Sequence, residues 1–231
     1  MARRSRKRSG YPARSRRPMR YAGDSVLIVC EGSETEPNYF NAVINFLQLP
    51  TAAVKVDPAR GRSAPQTVVA YAIEELERAC AQGNPYAKVY CVIDKDHHQK
   101  YDEALSKVRH YTPPKECATV LCVVPSVPCF EFWILMHERY TTSTFGTSGH
   151  KPCDQLIKTH LPGYSKTDRL EAKRLVEEKL PIAKTNAHRA LHAARSAGTD
   201  DPSTYVHLLI EELEYLKEHK YFKEEKKGCP E

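Results

Sequence analysis

The chain lacks an apolar run approaching the roughly 20 residues that a membrane-spanning helix requires. It also lacks any internal repeat and any Cys-x-x-Cys pair. Each absence removes a class. Without the apolar run, no membrane partner is expected. Without close cysteine pairs, the eight cysteines (30, 80, 91, 117, 122, 129, 153 and 229) do not read as a zinc site. Cys30, Cys91 and Cys122 fall inside apolar runs, as buried free thiols do, so a reducing, cytoplasmic setting is expected. Residues 1–20 contain no acid, and no apolar segment of a secretory signal follows their charges. The leucines of an amphipathic transit helix are missing from them too.

What those residues do hold is nine cations: Arg3, Arg4, Arg6, Lys7, Arg8, Arg14, Arg16, Arg17 and Arg20. The formal net charge of the 231 residues is +6, yet the chain beyond residue 20 carries 26 basic and 29 acidic residues, a net of −3. The charge pattern is therefore a cationic arm on a nearly neutral body. Pro12, Pro18 and the want of apolar periodicity make residues 1–22 a flexible, disordered basic arm. Such an arm suits phosphate backbones, through contacts that ignore sequence and weaken with salt. Arg14, Arg16 and Arg17 are its candidate substrate contacts. Tyr11 and Tyr21 are too few for base stacking. Elsewhere, 41% hydrophobic content and 13 tyrosines suffice for a core.

The body reads as α/β. Ser25 to Cys30 is a continuous apolar run of strand length, typical of a strand covered on both faces. A loop follows to Pro37, which suits a helix start, and Tyr39, Phe40, Val43, Ile44 and Leu47 form one apolar helix face. Ala53 to Val56 is a short strand. Val69, Ile73, Leu76 and Cys80 form a second helix stripe, stopped by Gly83-Asn84-Pro85. Lys88 to Ile93 and Ala118 to Val124 are two further strands, the latter ending at Pro125. Helices are expected over 99–110 and 129–137. Alternation of this kind predicts a mostly parallel sheet flanked by helices over residues 23–140. Residues 141–231 read as a helical C-terminal region, with helices over 153–160, 167–180, 182–197 and 203–220. Asp201-Pro202-Ser203-Thr204 reads as a turn and cap before the last of them.

Ligands in open α/β sheets gather at the carboxyl ends of strands. Two apolar strands here run directly into acids: Cys30-Glu31-Gly32 and Ile93-Asp94-Lys95-Asp96. Carboxylates converging on one edge repel one another, and such oxygen-rich sets are what Mg²⁺ or Mn²⁺ requires. Glu31, Asp94 and Asp96 are the candidate metal ligands. Glu34 and Glu36 are read as caps of the helix near Pro37 in preference to ligands. Glu131 is either a cap or a partly buried acid at the same edge, and the second reading groups it with the other catalytic candidates. His137 is expected to be packed, and Lys95 is expected on the surface or in a structural role. His97 is a candidate substrate contact. Metal binding by His188 and His192 is not expected.

These residues also carry a resemblance. Cys30-Glu31-Gly32 followed by Thr35-Glu36-Pro37-Asn38-Tyr39-Phe40 resembles the opening motif of the RloB-like family. The similarity continues through Ile93-Asp94-Lys95-Asp96, Ser126 to Trp133, Tyr164-Ser165-Lys166 and Asp201 to Val206. Val127 departs from it, standing where Asn or a similar polar residue is expected. The resemblance implies a TOPRIM-like domain, in which a Glu follows the first strand and a DxD follows a later one. Those places fall on Glu31, Asp94 and Asp96. It also implies a place in bacterial restriction and anti-phage loci, beside an ATPase partner.

The activity expected is metal-dependent phosphodiester cleavage in RNA, tRNA or DNA. Asp94 and Asp96 would hold the ion, Glu31 would coordinate it or take the proton of the attacking water, and Glu131 would complete a second metal site. Lys166, between helices, would bring a cation to a phosphate. Two rivals remain: a non-catalytic nucleic-acid-binding or regulatory partner of the ATPase, and a DxD glycosyltransferase, which leaves Glu31-Gly32 and the basic arm without a role. A dehalogenase-like phosphatase would need its acid motif after the first strand.

Overall fold

Strand β1 (Val26–Cys30) is buried along its whole length, because its side chains alternate between two separate apolar layers. Val26, Ile28 and Cys30 enter one layer; Leu27 and Val29 enter the other. The computed structural model describes residues 23–59, 61, 64–95, 100–145, 151–223, 226 and 228–230. In chain order its elements are β1, α1 (Thr35–Leu47), β2 (Val54–Pro58), α2 (Pro65–Ala81), β3 (Lys88–Asp94), α3 (Tyr101–His110), β4 (Val120–Val127), α4 (Phe130–Glu138), α5 (Pro152–His160), α6 (Arg169–Ser196), β5 (Ser203–Thr204) and α7 (Val206–His219). The sheet order is β2-β1-β3-β4-β5, parallel throughout except for β5. Helices α2 and α3 cover the Leu27 face, while α1, α4, α5, α6 and α7 contribute to the larger layer on the Val26 face. No described helix is long and apolar enough to cross a membrane.

The structure departs from the sequence reading in four places. First, β4 runs through Pro125 to Val127. The Pro125 carbonyl accepts from the Tyr205 amide at 3.0 Å, so its nitrogen also faces β5 and the ladder to β3 loses no bond. Second, Ser203 and Thr204 do not merely cap α7: they pair antiparallel with Val127 and Ser126, adding a strand from the C-terminal region to the sheet. Third, α6 does not stop at Pro181. Leu175, Val176, Leu180, Ala183, Ala187 and Ala190 are all buried in one layer, and that packing outweighs the missing proline N–H. The Thr185 hydroxyl donates to the Pro181 carbonyl at 3.0 Å. Fourth, six cysteines form disulfides, Cys80–Cys117, Cys122–Cys229 and Cys129–Cys153. This corrects the free-thiol reading of Cys122; Cys30 and Cys91 are the buried free thiols.

Candidate functional site

The strand order reverses between β1 and β3: the chain leaves β1 for β2 on one side and later returns to β3 on the other. At such a switch point the carboxyl ends of the strands open a crevice. Glu31 follows β1 and Asp94 ends β3, so the two acids stand on its two lips. They touch, since the Asp94 amide donates to Glu31 Oε2 at 3.1 Å. The Glu31 amide in turn donates to the Val92 carbonyl at 3.2 Å, which holds the first residue of the loop against β3.

Asp94 is only half-buried as a residue, yet its Oδ1 is shielded from solvent and has no hydrogen-bond partner. Burial pushes its carboxyl well above the usual carboxylate range, and the charges of Glu36, Glu31 and Glu131 push it further. The Phe130 amide at the start of α4 works in the opposite direction. Helix α4 is anchored by Phe130, Phe132, Trp133 and Leu135, all 1% exposed or less. Burying each such side chain contributes about 1.5–3 kcal/mol, so the helix that carries Glu131 is firmly held.

Glu36, which the sequence reading took as a cap in preference to a ligand, is buried beside these acids. It is 5% exposed and turns back toward the loop, accepting the Gly32 amide on Oε1 at 3.0 Å. Burial raises its pKa, and Glu131 adds to the shift. Gly32 makes this fold-back possible: a Cβ there would lie 2.7 Å from Glu36 Cδ and 2.8 Å from Oε1. A glycine four residues ahead of an acid was the available signal. Glu34, also read as a cap, occupies the N-cap position of α1 and makes no side-chain cap bond.

Glu131 is 3% exposed and forms an ion pair with Lys166 at 2.8 Å. The Lys166 side chain is 52% exposed. Burial opposes its charge, but Glu131, Asp94 and Glu36 raise its pKa on balance. The Thr35 hydroxyl donates to the Lys166 carbonyl at 3.2 Å, tying this loop to the start of α1. Lys166 thus stands beside Glu131 at the crevice. Lys95 turns away and pairs with Asp200 at 2.6 Å, a structural role. His137 is packed in an aromatic cluster with Tyr39 and Trp133, its Nε2 2.9 Å from the Tyr39 hydroxyl, and burial lowers its pKa to about 4. Asp96, His97, Arg14, Arg16 and Arg17 lie outside the described residues.

The carboxylates stand in electrostatic reach of one another, but no three of their oxygens converge within 4.8 Å among the described residues. The group that does so is Cys129, Glu131 and Cys153. A soft metal there would need thiolates, and those two sulfurs are bonded to each other. The acids at the switch point fit a hard divalent ion better. Their donors are all oxygen, and Asp94 offers a shielded oxygen that nothing else uses.

A family model described as RloB-like protein matches residues 26–213. No curated protein and no solved structure matches the chain.

Proposed function

The chain belongs to the RloB-like family, and from that membership and the carboxylate crevice we propose that it is a metal-dependent nuclease with a TOPRIM-like catalytic domain. The observation that carries this reading is Asp94. A shielded carboxylate with an unused oxygen, set among Glu31, Glu36 and Glu131, destabilises the fold it sits in. Arrangements of that kind concentrate at functional sites.

Asp94 and Glu31 would hold Mg²⁺ or Mn²⁺, with Glu36 beside them and Asp96 extending the set. Bound there, the ion supplies charge neutralisation for the scissile phosphate and its leaving oxygen. Glu31, half-exposed at the lip, takes the proton of the attacking water. Glu131 serves to position Lys166 rather than to complete a second metal site, because its Oε1 is already engaged by the ammonium. The exposed Lys166 then meets a non-bridging phosphate oxygen. His97 and the arm residues Arg14, Arg16 and Arg17 add substrate contacts, a part of the proposal that rests on their charge and place in the sequence. An effector role in bacterial anti-phage defence, beside an ATPase partner, is the part that rests on the family resemblance.

The test is incubation of the full chain with DNA, total RNA and tRNA in Mg²⁺, Mn²⁺ or EDTA. Wild type should cleave one class only with metal, and Glu31→Gln and Asp94→Asn should each lose about 10²-fold or more of the rate. Equal cleavage by both variants, or cleavage that persists in EDTA, would sink the proposal. Tight binding without cleavage under every condition would instead support the non-catalytic partner.

A further inference from the structure

Helix α6 has a charge pattern that the crevice does not use. From residue 179 to 199 it and its end contain no acid. Lys179 and Lys184 in this stretch are spoken for, by Glu138 and Glu214 at 2.5 Å each. Arg189 and Arg195 have no carboxylate partner among the described residues. Each lies against a tyrosine instead: the Arg189 guanidinium is 4.0 Å from the Tyr140 ring centroid, and that of Arg195 is 5.5 Å from Tyr205. Arg195 Nη2 also donates to the Tyr205 hydroxyl at 3.2 Å. A guanidinium resting on a ring is partly ordered beforehand and keeps N–H donors for an incoming anion, so it loses less entropy on binding.

Helical spacing puts His188, His192 and Arg195 in one exposed row, with the exposed Arg189 alongside. At about 1.5 Å per residue the row spans about 10 Å, the length of roughly three phosphates along one strand at about 3.4 Å each. Its Arg195 end leads toward the crevice. Tyr205 donates its amide to the Pro125 carbonyl at 3.0 Å, the next residue Ser126 pairs with Thr204, and Ser126 stands opposite Asp94 in the β3–β4 ladder.

We propose that this acid-free face of α6 is a phosphodiester track that binds the backbone of a nucleic acid and leads it to the switch-point crevice. This deepens the nuclease reading, on which it rests for the identity of the polyanion. The contacts are to phosphates, so the track reads charge and spacing, not base sequence.

Binding is measured on the full chain in EDTA, by fluorescence anisotropy with labelled RNA and DNA oligonucleotides across a salt series. Arg189→Gln/Arg195→Gln should reduce the slope of log K against log salt by about 1.4–1.8 and weaken binding on the order of 10-fold. Arg189→Lys/Arg195→Lys should keep the slope. His192→Glu disturbs neither arginine–tyrosine contact and adds an acid to the row; it should weaken binding similarly. A folded Gln pair or His192→Glu protein with wild-type affinity and slope overturns the track. So does competition by poly-glutamate as effective as that by RNA of equal charge, which would make the face an acidic-protein surface. Cleavage is read separately in Mg²⁺. Loss of binding in the variants while wild type never cleaves keeps the track and removes the nuclease; cleavage by wild type with unaltered variant binding does the reverse.

Discussion

Asp94 is where the proposed chemistry and stability conflict most directly. Its folded pKa lies above its unfolded value, with burial as the main cause. The sign follows: the protonated carboxyl is favoured in the fold at low pH, and that stability is lost as pH rises through the folded pKa. At pH 8, above the unfolded value, the group therefore opposes folding. Asp94→Asn, neutral at every pH, should melt a few degrees above wild type at pH 8 in EDTA. The gap should shrink as the pH falls toward the ordinary carboxylate range. Mg²⁺ should raise the melting temperature of wild type and leave the Asn variant unmoved. Identical melting of the two proteins at pH 8 in EDTA would show that the acid cluster costs the fold nothing. At this scale Glu31, Asp94 and Glu131 were legible, because each ends or directly follows a strand or opens the next helix. Glu36 was not, since a side chain that turns back over a glycine leaves no periodicity.

Among the elements, α7 depends on one buried charge pair. Lys88, at the start of β3, and Glu212, on α7, are each 1% exposed and form an ion pair; burial lowers the Lys88 pKa, and the Glu212 carboxylate works against that shift. Lys88 also donates to the Gly228 carbonyl at 2.8 Å, and Glu212 Oε2 accepts from the Tyr90 hydroxyl at 3.2 Å. Removing one member of a buried pair strands the other, at a cost of about 3–5 kcal/mol, whereas replacing both is often neutral. Here the two halves are not equivalent. Glu212 retains Lys226 at 3.4 Å, so Lys88→Met should fall at the low end of that range. Glu212→Leu leaves Lys88 with a carbonyl and the Phe222 ring, and should fall at the high end. The double variant should recover most of the loss in urea unfolding. Additive losses would mean the pair is not the coupling between α7 and the sheet. The sequence revealed α7 by its apolar stripe but gave no sign that Lys88, inside a strand pattern, would be buried. A lysine among apolar residues carries no mark of a partner 124 residues away. The same holds for β5 and for the continuous α6: local rules place a turn at Pro202 and a break at Pro181, and only long-range packing reverses them.

At the scale of the molecule, the alternation of strands and helices was readable because each strand is apolar on both faces, and that demands helices on both sides. Cysteine pairing was not readable: Cys122 and Cys229 are 107 residues apart, and no spacing rule links them. Charge distribution is the global property that sequence does disclose. The arm carries nine positive charges, against a net of −3 for the rest. Without it, a polyanion approaches a body that on balance repels it, and only local features such as α6 and Lys166 attract. Deleting residues 1–20 should therefore weaken nucleic-acid binding and lower its salt slope by about 0.7–0.9 for each phosphate the arm engages. The body begins at a point fixed independently of the arm: the Asp24 amide donates to the Lys220 carbonyl at 2.8 Å, and the Phe222 amide donates to Asp24 Oδ2 at 2.7 Å. The truncated chain should accordingly melt with the full chain. At saturating substrate its cleavage rate should also match, because the proposed function gives the arm a part in capture and the crevice the chemistry. An unchanged affinity and salt slope would remove the arm from capture; a lower rate at saturation would bring it into the chemistry.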